Sequence, residues 1–172
     1  MLNKSFFNRS ALEVAPDLLG KHLVKEDGGR KTIKKITETE AYCGIKDKAC
    51  HASSGKTDRN EVMFGTPGVW YVYLIYGIYD MLNVVTGPEK NPSAVLIRGV
   101  EGIDGPGKLT RDLGIGRKFN KKKLSFSTGL WIEDRGNNPK KIKKLKRVGV
   151  DYAGKWAEKK WRFKIKKYNG KE

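Results

Sequence analysis

The chain has 172 residues, 38% of them apolar, and carries 36 Lys and Arg against 19 Asp and Glu, a formal net charge of +17. That length and apolar share suit one folded domain over residues 1–172 with its own core, and exclude a disordered chain. So large a cation excess points to a polyanionic partner, and nucleic acid is the commonest one; a surface kept basic for solubility is the bland alternative, and charge alone does not separate DNA from RNA.

The opening Met1-Leu2-Asn3-Lys4-Ser5 leads into no apolar stretch, and Cys43 and Cys50 cannot build a disulfide framework. A reducing, intracellular location is therefore expected: cytoplasm or nucleoid in a prokaryote, nucleus in a eukaryote. Ser10-Ala11-Leu12-Glu13 has the spacing of a capping box and predicts a short helix that Pro16 interrupts and Gly20 ends. Lys21–Glu26 and Lys31–Glu40 read as strands paired across Asp27-Gly28-Gly29. Side chains alternate along a strand, so Glu38, Glu40 and Tyr42 should share a face. Gly44 to Thr66 is polar and without period, hence a long surface loop, and loops of that length in a compact domain are usually functional.

The uncharged run Val62–Tyr79 is long enough to raise a membrane span, but Gly65, Pro67, Gly68 and Gly77 break it. Val69–Ile75 reads instead as a buried strand, Tyr76-Gly77 as a turn and Ile78–Val85 as the returning strand. Ala94–Val100, Thr128–Glu133 and Trp161–Ile165 are further strands, and Lys108–Leu113 a short helix ended by Gly114. The basic tracts Lys121–Lys123 and Lys140–Arg147 read as solvated loops. The sum is an α+β domain on a largely antiparallel sheet.

Several short motifs stand in a fixed order: Glu38-Thr39-Glu40-Ala41-Tyr42, then Gly44, Asp47 and His51, then Arg59-Asn60, Met63-Phe64 and Tyr71-Val72-Tyr73. Tyr76-Gly77, Asn83-Val84-Val85, Leu96-Ile97-Arg98, Gly105-Pro106-Gly107-Lys108-Leu109, Arg147-Val148-Gly149-Val150 and Tyr152-Ala153-Gly154 follow. In this order and spacing the chain, from about Phe6 to Phe163, resembles the alkyladenine (3-methyladenine) DNA glycosylase family of mammals and many bacteria. Any one motif alone would be weak; many separated ones at once are specific. The resemblance implies a single mixed domain with a curved antiparallel sheet, no metal, no cofactor, a duplex-DNA partner, and action as a monomer.

It also implies roles. Glu40 falls on the family's catalytic glutamate, a residue that holds and deprotonates water while positive charge builds on the sugar. Arg98 falls on the arginine that helps hold that water. Tyr42, His51 and Tyr73 match the base pocket, where aromatic faces suit a purine and suit a cationic methylated one better. Asn83 matches the side chain that crowds the 2-amino group of guanine. Tyr76 matches the wedge pushed into the minor groove to fill the space of a flipped nucleotide. Each has a plainer reading: a solvated strand-end carboxylate, an arginine paired to it, core aromatics, a structural histidine, a turn residue, a hairpin staple.

Cys43, Cys50, His51 and His22 could suggest zinc, but six residues separate the cysteines and no second pair exists. Asp80 and Gly99 depart from the family pattern; Asp80 is expected to repel phosphate beside the wedge, and Gly99 to loosen the water site beside Arg98. No lysine is placed as an amine nucleophile, so the implied reaction is direct hydrolysis that leaves a free abasic site. The expected substrates are 3-methyladenine, 7-methylguanine, hypoxanthine and ethenoadenine. The rival reading is a non-catalytic nucleic-acid-binding module that keeps the fold.

Overall fold

The structure, a computed structural model, describes residues 1–166; residues 167–172 of the expected domain lie outside it. Strands β1 (His22–Asp27) and β2 (Arg30–Cys43) are joined by Gly28-Gly29, whose φ values of 54° and 80° match the positive pair a type I′ hairpin turn demands. Pairing runs antiparallel from Asp27↔Arg30 to His22↔Lys35. There β1 ends and β2 continues, because its next residues find two further partners. On one edge Ile36 to Cys43 pairs with β5 (Ser93–Val100); on the edge β1 has vacated, Glu38–Glu40 pairs with β9 (Arg162–Ile165). The register against β5 shifts between Ile36 and Glu38 and again between Glu38 and Thr39. Such bulges add twist, and the sheet curls at this point.

β3 (Trp70–Ile75) and β4 (Tyr79–Val85) form a hairpin that extends the sheet beyond β5, giving the order β3-β4-β5-β2-β1-β7, with β7 spanning Leu130–Glu133. β6 (Ile103–Asp104) folds back on β5, and β8 (Ile142–Leu145) pairs with β9. Every pairing among the described residues is antiparallel. Among the described residues three short α-helices accompany the sheet: α1 (Lys4–Phe7), α2 (Ala11–Asp17) and α3 (Pro106–Asp112). The main core joins Val14, Ala15 and Leu18 of α2 and its end to Leu23, Ile36, Trp70, Leu82 and Ile97 of the sheet. The Thr39 hydroxyl donates to the Ala15 carbonyl at 2.8 Å, which fixes α2 across β2. The architecture is thus the α+β class read from sequence, with one curled antiparallel sheet. Among the described residues no helix is long and apolar enough to cross a membrane, and Val62–Tyr79 divides into a short turn and strand residues.

Three sequence expectations change. The capping box is present, with the Ser10 hydroxyl accepting from the Glu13 N–H and the Glu13 carboxylate from the Ser10 N–H, but Pro16 does not interrupt α2. Pro16 lies in the last turn, where the donor it lacks would have served Leu12, a residue exposed to water. Residues 44–66 are not a plain surface loop: they form two 3-10 turns, His51–Ser54 and Glu61–Phe64, and bury Asp47, Ala49, Cys50, Ala52, Asn60 and Met63. Polar side chains satisfy the backbone there. Asn60 accepts from the Thr57 N–H at 2.7 Å and donates to the His51 and Gly55 carbonyls at 3.0 and 2.8 Å. The tract Lys140–Arg147 is not a solvated loop either, since it contains β8 and ends in a buried Arg147.

The β3–β4 hairpin rests on α3 through Gly107. A Cβ there would stand 2.8 Å from Cδ1 and 2.9 Å from Cγ of Tyr79, near the root of the ring rather than its tip. Gly107→Ala should therefore cost about 1–3 kcal/mol of stability, lowering the unfolding midpoint by roughly 2–4 °C per kcal/mol in a chain of this size. An unchanged midpoint in a thermal melt would mean that Tyr79 swings aside freely and that α3 does not fix the hairpin.

Candidate active site

β2, β3, β4 and β5 direct alternate side chains into one cavity of about 290 Å³. Glu40 and Tyr42 come from β2, Tyr71 and Tyr73 from β3, Asn83 from β4 and Arg98 from β5. His51 enters from the first 3-10 turn and Tyr76 from the hairpin tip, while Val148, Gly149 and Tyr152 close the far side. All seven residues singled out from the sequence line this one space. Its volume is at the low end for ligand pockets, which suits one small flat ligand rather than a dinucleotide.

The two carboxylates on β2 sit in different surroundings. Glu38 is met by Arg98 Nε at 3.2 Å, Arg162 Nη1 at 2.9 Å and Lys164 Nζ at 2.9 Å. Burial opposes its charge, but hydrogen bonds from Lys164 and Arg162 prevail and hold its pKa below the ordinary glutamate value. Glu40 has no solvent exposure. Its Oε1 accepts from the Val148 N–H at 2.9 Å and lies 3.4 Å from Arg98 Nη1 and 3.9 Å from Arg162 Nε, and its Oε2 accepts from the Tyr42 hydroxyl at 2.9 Å. Burial dominates here and raises the pKa, with Arg98, the Val148 N–H and Tyr42 pulling it back. Arg98 spans the pair, with Nε on Glu38 and Nη1 on Glu40. The result is one carboxylate saturated by cations and a second that is dry, with a raised pKa, in the wall of the cavity.

The remaining walls are aromatic. The His51 and Tyr73 rings meet at 4.5 Å between centroids, and Tyr71 lies 5.0 Å from Tyr73. His51 Nδ1 is 2.8 Å from the Tyr71 hydroxyl. Burial, assisted by Arg59, pushes the His51 pKa down to about 4, so the imidazole is neutral at physiological pH and does not repel a cationic ligand. Asn83 is buried, and its Nδ2 donates to the Tyr71 and Met81 carbonyls, both at 3.2 Å, which fixes the plane of its amide against the cavity. Tyr76 is 82% exposed. With φ at 52° it shares a tight turn with Gly77 at 69°, closed by the Ile78 N–H on the Ile75 carbonyl at 3.1 Å. Few non-glycine residues adopt that conformation, and here it holds an aromatic ring out into solvent beside the cavity mouth.

Asp80, expected to repel phosphate, turns its carboxylate toward Arg117, 3.7 Å away. Gly99, expected to loosen the site, packs closely: a Cβ would lie 3.3 Å from Thr37 Oγ1 and 3.4 Å from both Glu38 Cβ and the Ile103 carbonyl. Burial pushes the Cys43 and Cys50 thiols up to about 12 and about 11, which disfavours the thiolate that a nucleophile or zinc ligand needs. Sequence reasoning gave no role to Asp47 and Arg147, whose buried pair lies behind Tyr42. Their only sequence signal was membership of the ordered motifs.

Comparison with known proteins gives a consistent set. A sequence model of the methylpurine-DNA glycosylase family matches residues 5–105 and 103–169. A protein of Methanocella arvoryzae named "Putative 3-methyladenine DNA glycosylase" is 46% identical over 183 residues, covering 95% of this chain and 91% of its own. A relative of the same name from Anaeromyxobacter sp. (strain Fw109-5) is 47% identical over 171 residues, covering 95% and 88%. Another from Legionella pneumophila (strain Lens) is 44% identical over 172 residues, covering 96% and 94%.

The Glu38 cluster gives a stability prediction whose sign follows from its pKa. The folded-state value lies below the unfolded one, so its ion pairs stabilise the fold above the unfolded pKa, and that stabilisation is lost as pH falls through the folded one. Glu38→Gln should cost about 1–3 kcal/mol at neutral pH, and the gap to the parent should close below pH ~4. Denaturant melts at both pH values check this; a gap that persists unchanged in acid would show that packing, not charge, holds Glu38.

Proposed function

The chain belongs to the methylpurine-DNA glycosylase family and is a DNA glycosylase, and from that premise we propose that it extracts alkylated or deaminated purines from duplex DNA and hydrolyses their N-glycosidic bond with a water activated by Glu40. The single observation that carries this reading is the Glu40 carboxylate, buried in the cavity wall and held by Arg98, Tyr42 and the Val148 N–H. A raised pKa makes it a better proton acceptor than a solvated glutamate, and its cationic and N–H partners limit that rise.

In this mechanism the water's oxygen forms a bond to C1′ and its proton passes to Glu40 as the C1′–N bond breaks. The pair of electrons leaves with the purine. A base already cationic through alkylation departs neutral; a neutral base such as hypoxanthine first takes a proton from solvent on a ring nitrogen and then departs neutral likewise. Positive charge on the sugar is offset by the Glu40 carboxylate, whose effect is strong in a site with little water. No lysine lines the cavity among the described residues, which supports water as nucleophile and a free abasic site as product. Tyr42, His51 and Tyr73 sandwich the base, Asn83 screens its edge, and 3-methyladenine, 7-methylguanine, hypoxanthine and ethenoadenine are the candidate substrates. Tyr76 enters the stack as the wedge, which its exposure at the hairpin tip supports. The net charge of +17 supplies affinity for phosphates, and the enzyme acts as a monomer on damaged duplex.

Glu40→Gln preserves shape but accepts no proton, so single-turnover base release should fall about 10²–10⁴-fold while DNA binding is kept. Near-parental release by this variant would remove Glu40 from the chemistry. Tyr76→Ala should impair flipping more than chemistry, because the extruded state loses a stacking partner that offsets an unstacking cost of roughly a few kcal/mol. The defect should be largest for hypoxanthine paired with cytosine and smallest for a lesion in a bulge, read by excision rates on the two duplexes. Equal defects on both would place Tyr76 in the pocket chemistry instead.

A further inference from the structure

We propose that Arg147, paired with Asp47, is a positioning residue of this active site: its guanidinium sets the plane of the Tyr42 ring and the placement of the Val148 N–H on Glu40. The inference rests on the reading of Glu40 as base and Tyr42 as stacking wall.

Both side chains of the pair are 0% exposed, and they meet in a two-pronged contact, Nη1 to Oδ2 at 2.6 Å and Nη2 to Oδ1 at 2.9 Å. Arg147 lies between two rings, 4.9 Å from the centre of Tyr42 and 5.0 Å from that of Trp161. Nη1 also donates to the carbonyl of Ala41, the residue between Glu40 and Tyr42, at 3.0 Å, and Nη2 to the Trp156 carbonyl at 3.1 Å. Asp47 uses the same two oxygens to accept from the Cys43 N–H and the Ala49 N–H, both at 3.1 Å, and so shapes the segment leading to His51. The residue after Arg147 supplies the N–H on Glu40. One buried ion pair therefore ties together the three stretches that carry Glu40 with Tyr42, His51, and Val148.

Stability alone does not call for this arrangement. A buried ion pair is often no better than apolar side chains of similar volume. Here Arg147 Nε is buried without a hydrogen-bond partner, an added cost. What a planar, bidentate guanidinium offers over apolar packing is direction: it fixes an aromatic plane and a backbone segment at once. Burial opposes its charge, but the bonds to Asp47 outweigh it and keep Arg147 a cation. Glu40 is faced by Tyr42 from β2, Arg98 from β5, Arg162 from β9 and the Val148 N–H, with Glu38 two residues away and Arg147 and Tyr73 within electrostatic reach. Of these, the Val148 donor is the one that Arg147 places by chain connection.

Removing one partner strands a buried charge, so the decisive variant replaces both, Arg147→Met with Asp47→Leu, and Arg147→Lys serves as the conservative companion. Three readouts are taken: thermal unfolding, binding to a duplex carrying a tetrahydrofuran abasic analogue, and single-turnover excision of 7-methylguanine against pH. A 7-methylguanine base is already cationic and needs no leaving-group proton, so the acid limb reports the enzyme's carboxylate. The double variant should unfold cooperatively and bind the analogue like the parent. Excision should fall roughly 10–100-fold, as expected of a misplaced site. Its acid limb should move to higher pH, because a Glu40 without the Val148 donor is harder to ionise. Arg147→Lys should lie between. A folded double variant with parental rate and parental acid limb overturns the proposal, as does loss of cooperative unfolding in both variants, which would make the pair a support of the fold. Glu40→Gln run in parallel keeps the two readings apart: near-parental excision there defeats the role of Glu40, whatever Arg147 does.

Discussion

A carboxylate with no surface exposed to solvent is the constraint on which the rest of this structure depends. Taking a carboxylate charge out of water costs several kcal/mol even after relaxation, and Glu40 is fully buried. Tyr42 on the same strand is one partner, and the others come from elements far apart in sequence: Arg98 from β5, Arg162 from β9, and the Val148 N–H from the segment between β8 and β9. The curl of the sheet brings these partners together. β2 outruns β1, β9 takes its place along one edge, and the register shifts between Ile36 and Glu38 and between Glu38 and Thr39 fall at the switch.

The neighbouring carboxylate shows how closely environment sets chemistry. Glu38 and Glu40 are two residues apart on one strand and share Arg98, yet their pKa values move in opposite directions. Three cations touch Glu38, whereas Glu40 receives two neutral donors and more distant cations. Under the proposed hydrolysis, which needs one proton acceptor, the raised pKa favours Glu40, while Glu38, its pKa lowered, holds the arginine beside its neighbour; pairs of titratable groups in divergent surroundings commonly divide roles in this way.

Much of this was legible from residue pattern. Period-two alternation put Glu38, Glu40 and Tyr42 on one face, and the structure has Glu38 and Glu40 sharing Arg98 while Tyr42 bonds Glu40. Asp27-Gly28-Gly29 gave a hairpin because glycine readily supplies the positive φ of such a turn. The resemblance selected seven residues, and one cavity gathers all of them. The basic tract ending in Arg147 misled for a physical reason. A window of lysines reads as solvated, but what buries Arg147 is Asp47, 100 residues away in sequence, together with the Tyr42 and Trp161 rings. Residues 44–66 misled similarly, since their order comes from side chains such as Asn60 and Asp47 bonding backbone rather than from any apolar period. Pro16 escaped its usual effect only because α2 ends one residue later.

The most direct measurement is a structure of the protein with a duplex in which the lesion nucleotide carries a 2′-fluorine. The fluorine disfavours positive charge on the sugar and so leaves the glycosidic bond uncut. The purine is expected inside the cavity against Tyr42, His51 and Tyr73, with Tyr76 in the vacated stack and a water held between Glu40 and Arg98 on the face of C1′ away from the base. A lesion still stacked in the duplex, or a flipped base whose C1′ lies out of reach of any water on Glu40, would contradict hydrolysis centred on that carboxylate.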